Sequence, residues 1–131
     1  MRWIKVRKRR RRRASSVTKH YSEHKEAARD IVHARLQHFN QHYGYEFNRV
    51  AIRNQRTCWG SCTSLGNLNL SYKVLFLPPE VRDYIIVHEL CHLRELNHSH
   101  RFWDLVAEVV PDYHLHKQTL RKIEQGHIKI M

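Results

Sequence analysis

Three residues in one short stretch, His88-Glu89-Leu90-Cys91-His92, have the types and spacing for hydrolytic chemistry. On a helix, residues four apart lie one turn apart on the same face, so His88 and His92 can offer imidazole nitrogens to one metal ion. Glu89 is one step round and points beside the metal rather than at it. That is where a general base for an activated water belongs. Zinc in a catalytic site takes three protein ligands and leaves one position for water. The pattern therefore points to metal-assisted hydrolysis at a carbonyl, with His88 and His92 as metal ligands and Glu89 as the catalytic residue.

Histidine spacing alone is weak, because the chain holds 12 His in 131 residues. At that density about one pair at spacing four is expected by chance. Three occur: His20/His24, His38/His42 and His88/His92. Only the last encloses a glutamate in an apolar setting, and the other two read as polar faces of a solvated helix. A continuing helix would carry residue 98 about 9 Å along the axis past His92, too far to share an ion. The chain is therefore expected to turn soon after Leu96, at Asn97, a residue suited to the left-handed position that ends a helix. His98 then folds back as the favoured third ligand, on the metzincin spacing, although Glu95 stands where metzincins place a turn glycine. Its rivals are His100, His114 and Glu108.

These residues need a scaffold. Pro78-Pro79-Glu80 puts proline at a first helical position and an acid in the first turn. Residues 81–96 lack Gly and Pro and are apolar nearly all round, which predicts a helix buried in a core. Upstream, Ala28, Ile31, Val32, Leu36 and Phe39 recur at helical intervals, so residues 22–41 read as a packing helix stopped by Gly44. Residues 45–53 alternate as a strand, residues 54–67 form a turn-rich loop or bulged hairpin, and Leu68, Leu70 and Tyr72 mark a second strand. Val74-Leu75-Phe76-Leu77 is either a third strand or a turn. Together they predict a small antiparallel sheet before the metal helix. Trp59 and Gly60 suit either a substrate rim or a tryptophan plugging the core, with the plug favoured. Ser99 is a good N-cap for a helix over residues 101–110, with Phe102, Leu105, Val106 and Val109 on its core face and Trp103 near the metal. Pro111 stops that helix, and a last one covers residues 113–125. The fold class is α+β.

Charge and cysteine usage narrow the setting. The net charge is +12, but nine of the 24 Lys and Arg fall in residues 1–13, with an unbroken run from Arg7 to Arg13. The remainder is only mildly basic. Such a block repels itself and is expected to be disordered, and it can bind nucleic acid through phosphate neutralisation without sequence preference. The division expected is a basic tail over residues 1–18 and one metallohydrolase domain over residues 19–131. No apolar run follows the basic segment, so it does not read as a secretory signal, and acids begin at Glu23. No stretch is long enough to span a membrane. Cys58, Cys62 and Cys91 are too few for a disulfide framework and suit a reducing, cytoplasmic compartment.

Residues 52–120 resemble the YgjP-like metallopeptidase family, which is related to the SprT-type zinc proteases. The matching blocks are Trp59-Gly60-Ser61-Cys62, Asn67-Leu68-Asn69-Leu70, Leu77-Pro78-Pro79-Glu80, the run from Asp83 to Leu93, Asn97-His98-Ser99, Arg101-Phe102-Trp103 and Pro111-Asp112-Tyr113. The resemblance implies a zincin-like fold, His88, His92 and His98 as zinc ligands, and Glu89 as catalytic acid/base. Cys58 stands where the family usually has Arg, and an Arg-rich segment replaces the longer β-rich N-terminal region of many members. The function expected is zinc-dependent peptide hydrolysis of a peptide or protein substrate, with Arg101, Tyr72 and His100 as candidate oxyanion donors. One alternative is a metal-dependent nucleoside triphosphate hydrolase, for which carboxylate-held Mg²⁺ would be the usual site. Another is a non-catalytic zinc-containing module that binds nucleic acid.

Overall fold

The computed structural model describes residues 16–55 and 57–125. The run from Arg7 to Arg13 lies outside the described residues. The first helix, α1, spans Ser16–Tyr43. It is longer at both ends than residues 22–41, because neither Gly nor Pro interrupts the chain before Gly44. Its first turn takes in residues assigned to the tail. Gly44 ends it at φ 68°, a conformation that costs glycine little, with its N–H on the Asn40 carbonyl at 2.8 Å. The buried stripe is Ala28, Val32, Leu36 and Phe39.

Three strands follow: β1 (Arg49–Arg53), β2 (Gly60–Cys62) and β3 (Asn67–Ser71). The sheet is mixed, in the order β1-β3-β2. Only β2 and β3 pair antiparallel, whereas β1 runs parallel to β3. This corrects the all-antiparallel expectation. The chain leaves β1 for the far edge, runs along β2, and returns through a turn at Gly66 (φ 83°) into the centre. Alternation within each strand carries no information on which strand lies between the others. Leu68, Leu70 and Ile52 fill the core face. Residues Tyr72–Phe76 form a 3-10 helix rather than a third strand, capped by Ser71, whose hydroxyl accepts from the Lys73 N–H at 3.2 Å.

Helix α2 (Pro79–Cys91) is central. Proline at its first turn and Glu80 start it as expected, and eight of its 13 residues are buried. It packs against α1, β2, β3 and the two helices that follow, α3 (His100–Val109) and α4 (Tyr113–Gln125). Arg35 of α1 grips Asp83 of α2 through both carboxylate oxygens at 3.1 Å, fixing the crossing of the two helices. No helix among the described residues is long and apolar enough to cross a membrane. Leu36, 2% exposed, is a sensitive point of the α1 contact. Leu36→Ala is expected to cost about 2–5 kcal/mol, read as a lower urea midpoint with an unchanged slope.

Candidate active site

Helix α2 stops at Cys91, five residues before the expected end at Leu96. His92 is its C-cap, and turns over residues 92–94 begin the reversal before the chain bends again at Leu96 and Asn97. The amides of Leu93, Arg94 and Glu95 take the Leu90 and Cys91 carbonyls at 3.0–3.1 Å, which satisfies the open end of the helix. Glycine is absent there, so nothing local marks the stop. The early end leaves enough chain for His98, just before the α3 N-cap Ser99, to fold back over the last turn of α2.

The three imidazoles converge. Nε2 of His88 lies 3.2 Å from Nε2 of His92 and of His98, and the latter two are 3.0 Å apart. His92 Nδ1 is 3.0 Å from the Glu95 carbonyl. A carbonyl only accepts, so Nδ1 carries the proton and Nε2 of the neutral ring presents a bare lone pair. With the other two rings in the same tautomer, the triangle presents three lone pairs that one cation can share. Tetrahedral zinc, with Zn–N of about 2.0–2.1 Å, needs ligand nitrogens about 3.3 Å apart, and the donor set fits that span.

Two aromatic rings hold the triad. Phe102, fully buried, has its ring centre 4.9, 4.4 and 5.0 Å from those of His88, His92 and His98, forming a floor beneath all three. Trp103 stacks on His98 and meets His88 edge-on, each at 5.8 Å, so it packs against two of the three histidines. Its own ring carries Tyr113 at 4.8 Å and the Lys117 ammonium at 4.4 Å, both from α4. Burial, reinforced by repulsion from His92, His98 and Lys117, lowers the His88 pKa to about 3. Burial lowers His92 too. Both rings are thus held neutral, the form in which an imidazole can bind a metal ion.

Glu89 is 6% exposed, and its Oε1 is buried without a hydrogen-bond partner. Burial raises its pKa to about 8, so its carboxylate is unusually basic. Beside it, Gly60 of β2 leaves no room for a side chain. A Cβ there would stand 2.9 Å from the Asn69 carbonyl oxygen and 3.0 Å from Glu89 Cγ. The glycine lets an edge strand lie directly against the Glu89 side chain, a role the sequence suggested only as a rim beside Trp59. Trp59 itself packs partly buried on the core and donates Nε1–H to Glu124 of α4 at 2.7 Å.

The rival ligands fall elsewhere. Glu108 is bound to His42 at 2.9 Å, His100 lies 4.0 Å from Asp104 at the start of α3, and His114 is exposed on α4. Among the described residues, His88, His92 and His98 form the one group of three or more potential ligands. Of the expected oxyanion donors, Tyr72 is excluded by complete burial and by its bond to His20 at 2.8 Å. That bond also shows that the His20/His24 pair is half-buried against the 3-10 helix rather than solvated. Beyond His92, Phe47, Leu65 and Leu96 help to line a hollow of about 440 Å³.

A family model described as YgjP-like, metallopeptidase domain, matches residues 3–123. The chain belongs to the YgjP-like metallopeptidase family. The match takes in α1 and most of the basic segment, well beyond the 52–120 of the sequence resemblance. The crystal structure of the metallopeptidase zymogen of Pyrococcus abyssi abylysin is similar, with a TM-score of 0.61 and 27% identity over 76% of this chain and 99% of that one. No curated protein sequence matches significantly. This YgjP-like chain is a metallopeptidase of α+β fold, and the comparisons give no support to a nucleotide hydrolase or a non-catalytic module. Gly60→Ala is expected to push β2 off Glu89. It should lower kcat/KM by on the order of tenfold to a hundredfold, while costing about 1–3 kcal/mol in a urea melt. A fully active Gly60→Ala enzyme would mean that β2 has slack against the carboxylate.

Proposed function

We propose that His88, His92 and His98 hold a catalytic zinc ion and that Glu89 is the general base and acid of peptide-bond hydrolysis. The observation that carries this is the triangle of Nε2 atoms on a helix that also carries Glu89, the residue after His88, whose buried Oε1 has no partner. Three imidazoles favour zinc over Mg²⁺ or Ca²⁺, which take oxygen ligands. A structural zinc site would need neither a buried base nor an open position.

Bound there, zinc supplies a Lewis acid that polarises the scissile carbonyl and makes a water nucleophilic near neutral pH. The chain's own groups do the rest. Glu89 Oε1 takes the water's proton, holds it in its buried setting, and delivers it to the leaving amine nitrogen. The Glu95 carbonyl keeps the His92 proton on Nδ1, and Phe102 and Trp103 keep the three rings in place. Strand β2, at the end of the sheet, would offer backbone groups to an extended peptide, and Gly60 sets it against Glu89. Lys117 is the cation near enough to His88 to disfavour its protonation, which makes it our choice of donor to the developing oxyanion. The free thiols Cys58, Cys62 and Cys91 suit a reducing compartment such as the cytoplasm.

Metal content by mass spectrometry, read beside peptidase assays, tests the assignment. Wild type and Glu89→Gln are expected to carry about one zinc per chain, with the variant slower by about 10²–10⁴-fold. His98→Ala should lose most of its zinc, whereas full zinc in that variant would remove His98 from the ligand set. Wild-type turnover by Glu89→Gln would overturn the base assignment. Lys117→Gln is expected to lower kcat by on the order of tenfold to a hundredfold with little change in KM, the signature of a contact made in the transition state. A rise in KM alone would reduce Lys117 to substrate binding.

A further inference from the structure

Of the five large apolar side chains exposed among the described residues, three come together. Phe47, Leu65 and Leu96 are 38%, 76% and 54% exposed, and all three line the hollow of about 440 Å³ beyond His92. They come from three separate places: the segment before β1, the turn between β2 and β3, and the stretch after α2. The partly buried Leu93 adds further apolar lining. Glu46 is the one acid there, and neither Lys nor Arg lines the hollow. Exposed apolar groups that converge on a concave surface among polar neighbours mark a binding site rather than a spare patch.

The walls are held by hydrogen bonds. The Thr63 hydroxyl accepts from the N–H groups of Leu65 at 3.3 Å and Asn67 at 3.1 Å. The Thr63 N–H donates to the Asn67 carbonyl and the Gly66 N–H to the Thr63 carbonyl, each at 3.0 Å, which closes the turn. The Gly66 carbonyl accepts from the Asn48 N–H at 2.7 Å, tying the turn that carries Leu65 to the segment that carries Phe47. On the third side, the bonds that end α2 fix residues 93–95, and Leu96 is the next residue. A preformed apolar surface loses little freedom when a side chain enters it.

Two connections join the hollow to the candidate active site. The His92 ring gives Nε2 to the triad and is itself part of the hollow's lining. Strand β2 leads the same way. Gly60 stands against Glu89, and Thr63, three residues on and about 10 Å away, opens the turn at the hollow. An extended peptide along β2, with the bond to be cut beside Glu89, would bring a side chain over the hollow within about three residues of that bond. An acidic side chain there would meet Glu46, whereas an apolar one would cover surface that is otherwise in water.

We propose that the hollow takes a large apolar side chain of the substrate, of leucine or phenylalanine size, within about three residues of the cut bond. The substrates are then peptides or extended protein segments that carry such a residue. The proposal rests on the reading of His88, His92, His98 and Glu89 as the site of cleavage, and adds what that site selects.

Two measurements test it. In the first, wild type and Leu65→Gln/Leu96→Gln are given a mixed peptide library, and the cut positions are mapped by mass spectrometry. Both leucines are exposed, so the substitutions should leave the fold intact. Wild type should favour leucine or phenylalanine over alanine at one position near the cut by on the order of tenfold in kcat/KM, and the variant should narrow that ratio to about twofold. A ratio between two peptides on one enzyme is unaffected by how much of the enzyme carries metal. The second measurement needs no cleavage: anisotropy of a labelled peptide with leucine at alternate positions, and of its alanine counterpart, on Glu89→Gln with and without the two leucine substitutions. The leucine peptide should bind about tenfold more tightly, and the substitutions should remove most of that difference. A leucine preference that survives the substitutions, or none in either measurement, would overturn the proposal. A preference for lysine or arginine at that position would assign the hollow to Glu46 and overturn it too, as would a dimer in light scattering that the two substitutions dissociate. Leucine-selective binding by a wild type that cuts nothing would uphold the hollow as an apolar side-chain site and overturn the catalytic reading instead.

Discussion

Three imidazole nitrogens lie 3.0–3.2 Å apart, a convergence that rings on separate elements reach only if the packing imposes it. Most of the local structure can be read as what it takes to impose it. The Glu95 carbonyl sets the His92 tautomer, Phe102 supports the rings from below, and Trp103 leans on two of them. Burial holds His88 and His92 neutral. The three rings are thus positioned and kept neutral by the packing around them.

That packing comes from α2, which is enclosed by α1, the sheet and the two C-terminal helices. A helix buried on most of its faces cannot rotate to relieve strain among its side chains. Its amphipathic signal is correspondingly weak, in contrast to α3, whose apolar residues fall on one face. The same enclosure strips Glu89 of water and leaves one of its oxygens without a partner. Stability and reactivity are set by one element here, so substitutions in α2 will seldom separate them.

The mixed sheet has two edges with different surroundings. At β2 the absence of a side chain at Gly60 brings the strand against Glu89. At β1 the edge is covered by α1, with the Tyr21 hydroxyl on the Ile52 carbonyl and cations on the flanks. Placing β3 between them keeps the edge beside Glu89 and the basic edge apart.

The sequence by itself determined what local rules can encode. The start of α2 followed from Pro78, Pro79 and Glu80, the buried stripe of α1 from the spacing of Ala28, Val32, Leu36 and Phe39, and the α3 cap from Ser99. The convergence of the three histidines was legible because His88 and His92 stand one helical turn apart and one reversal returns His98 to them. The end of α2 was not, because the reversal at His92 uses ordinary backbone turns with no glycine to signal them. Nor was the sheet order, since strand alternation reports which face is buried and not which strand is adjacent. Only the tertiary structure brought Gly60 to Glu89, Lys117 to Trp103 and Glu124 to Trp59. Those contacts join residues distant along the chain, and their geometry is set by how whole elements pack rather than by any local pattern.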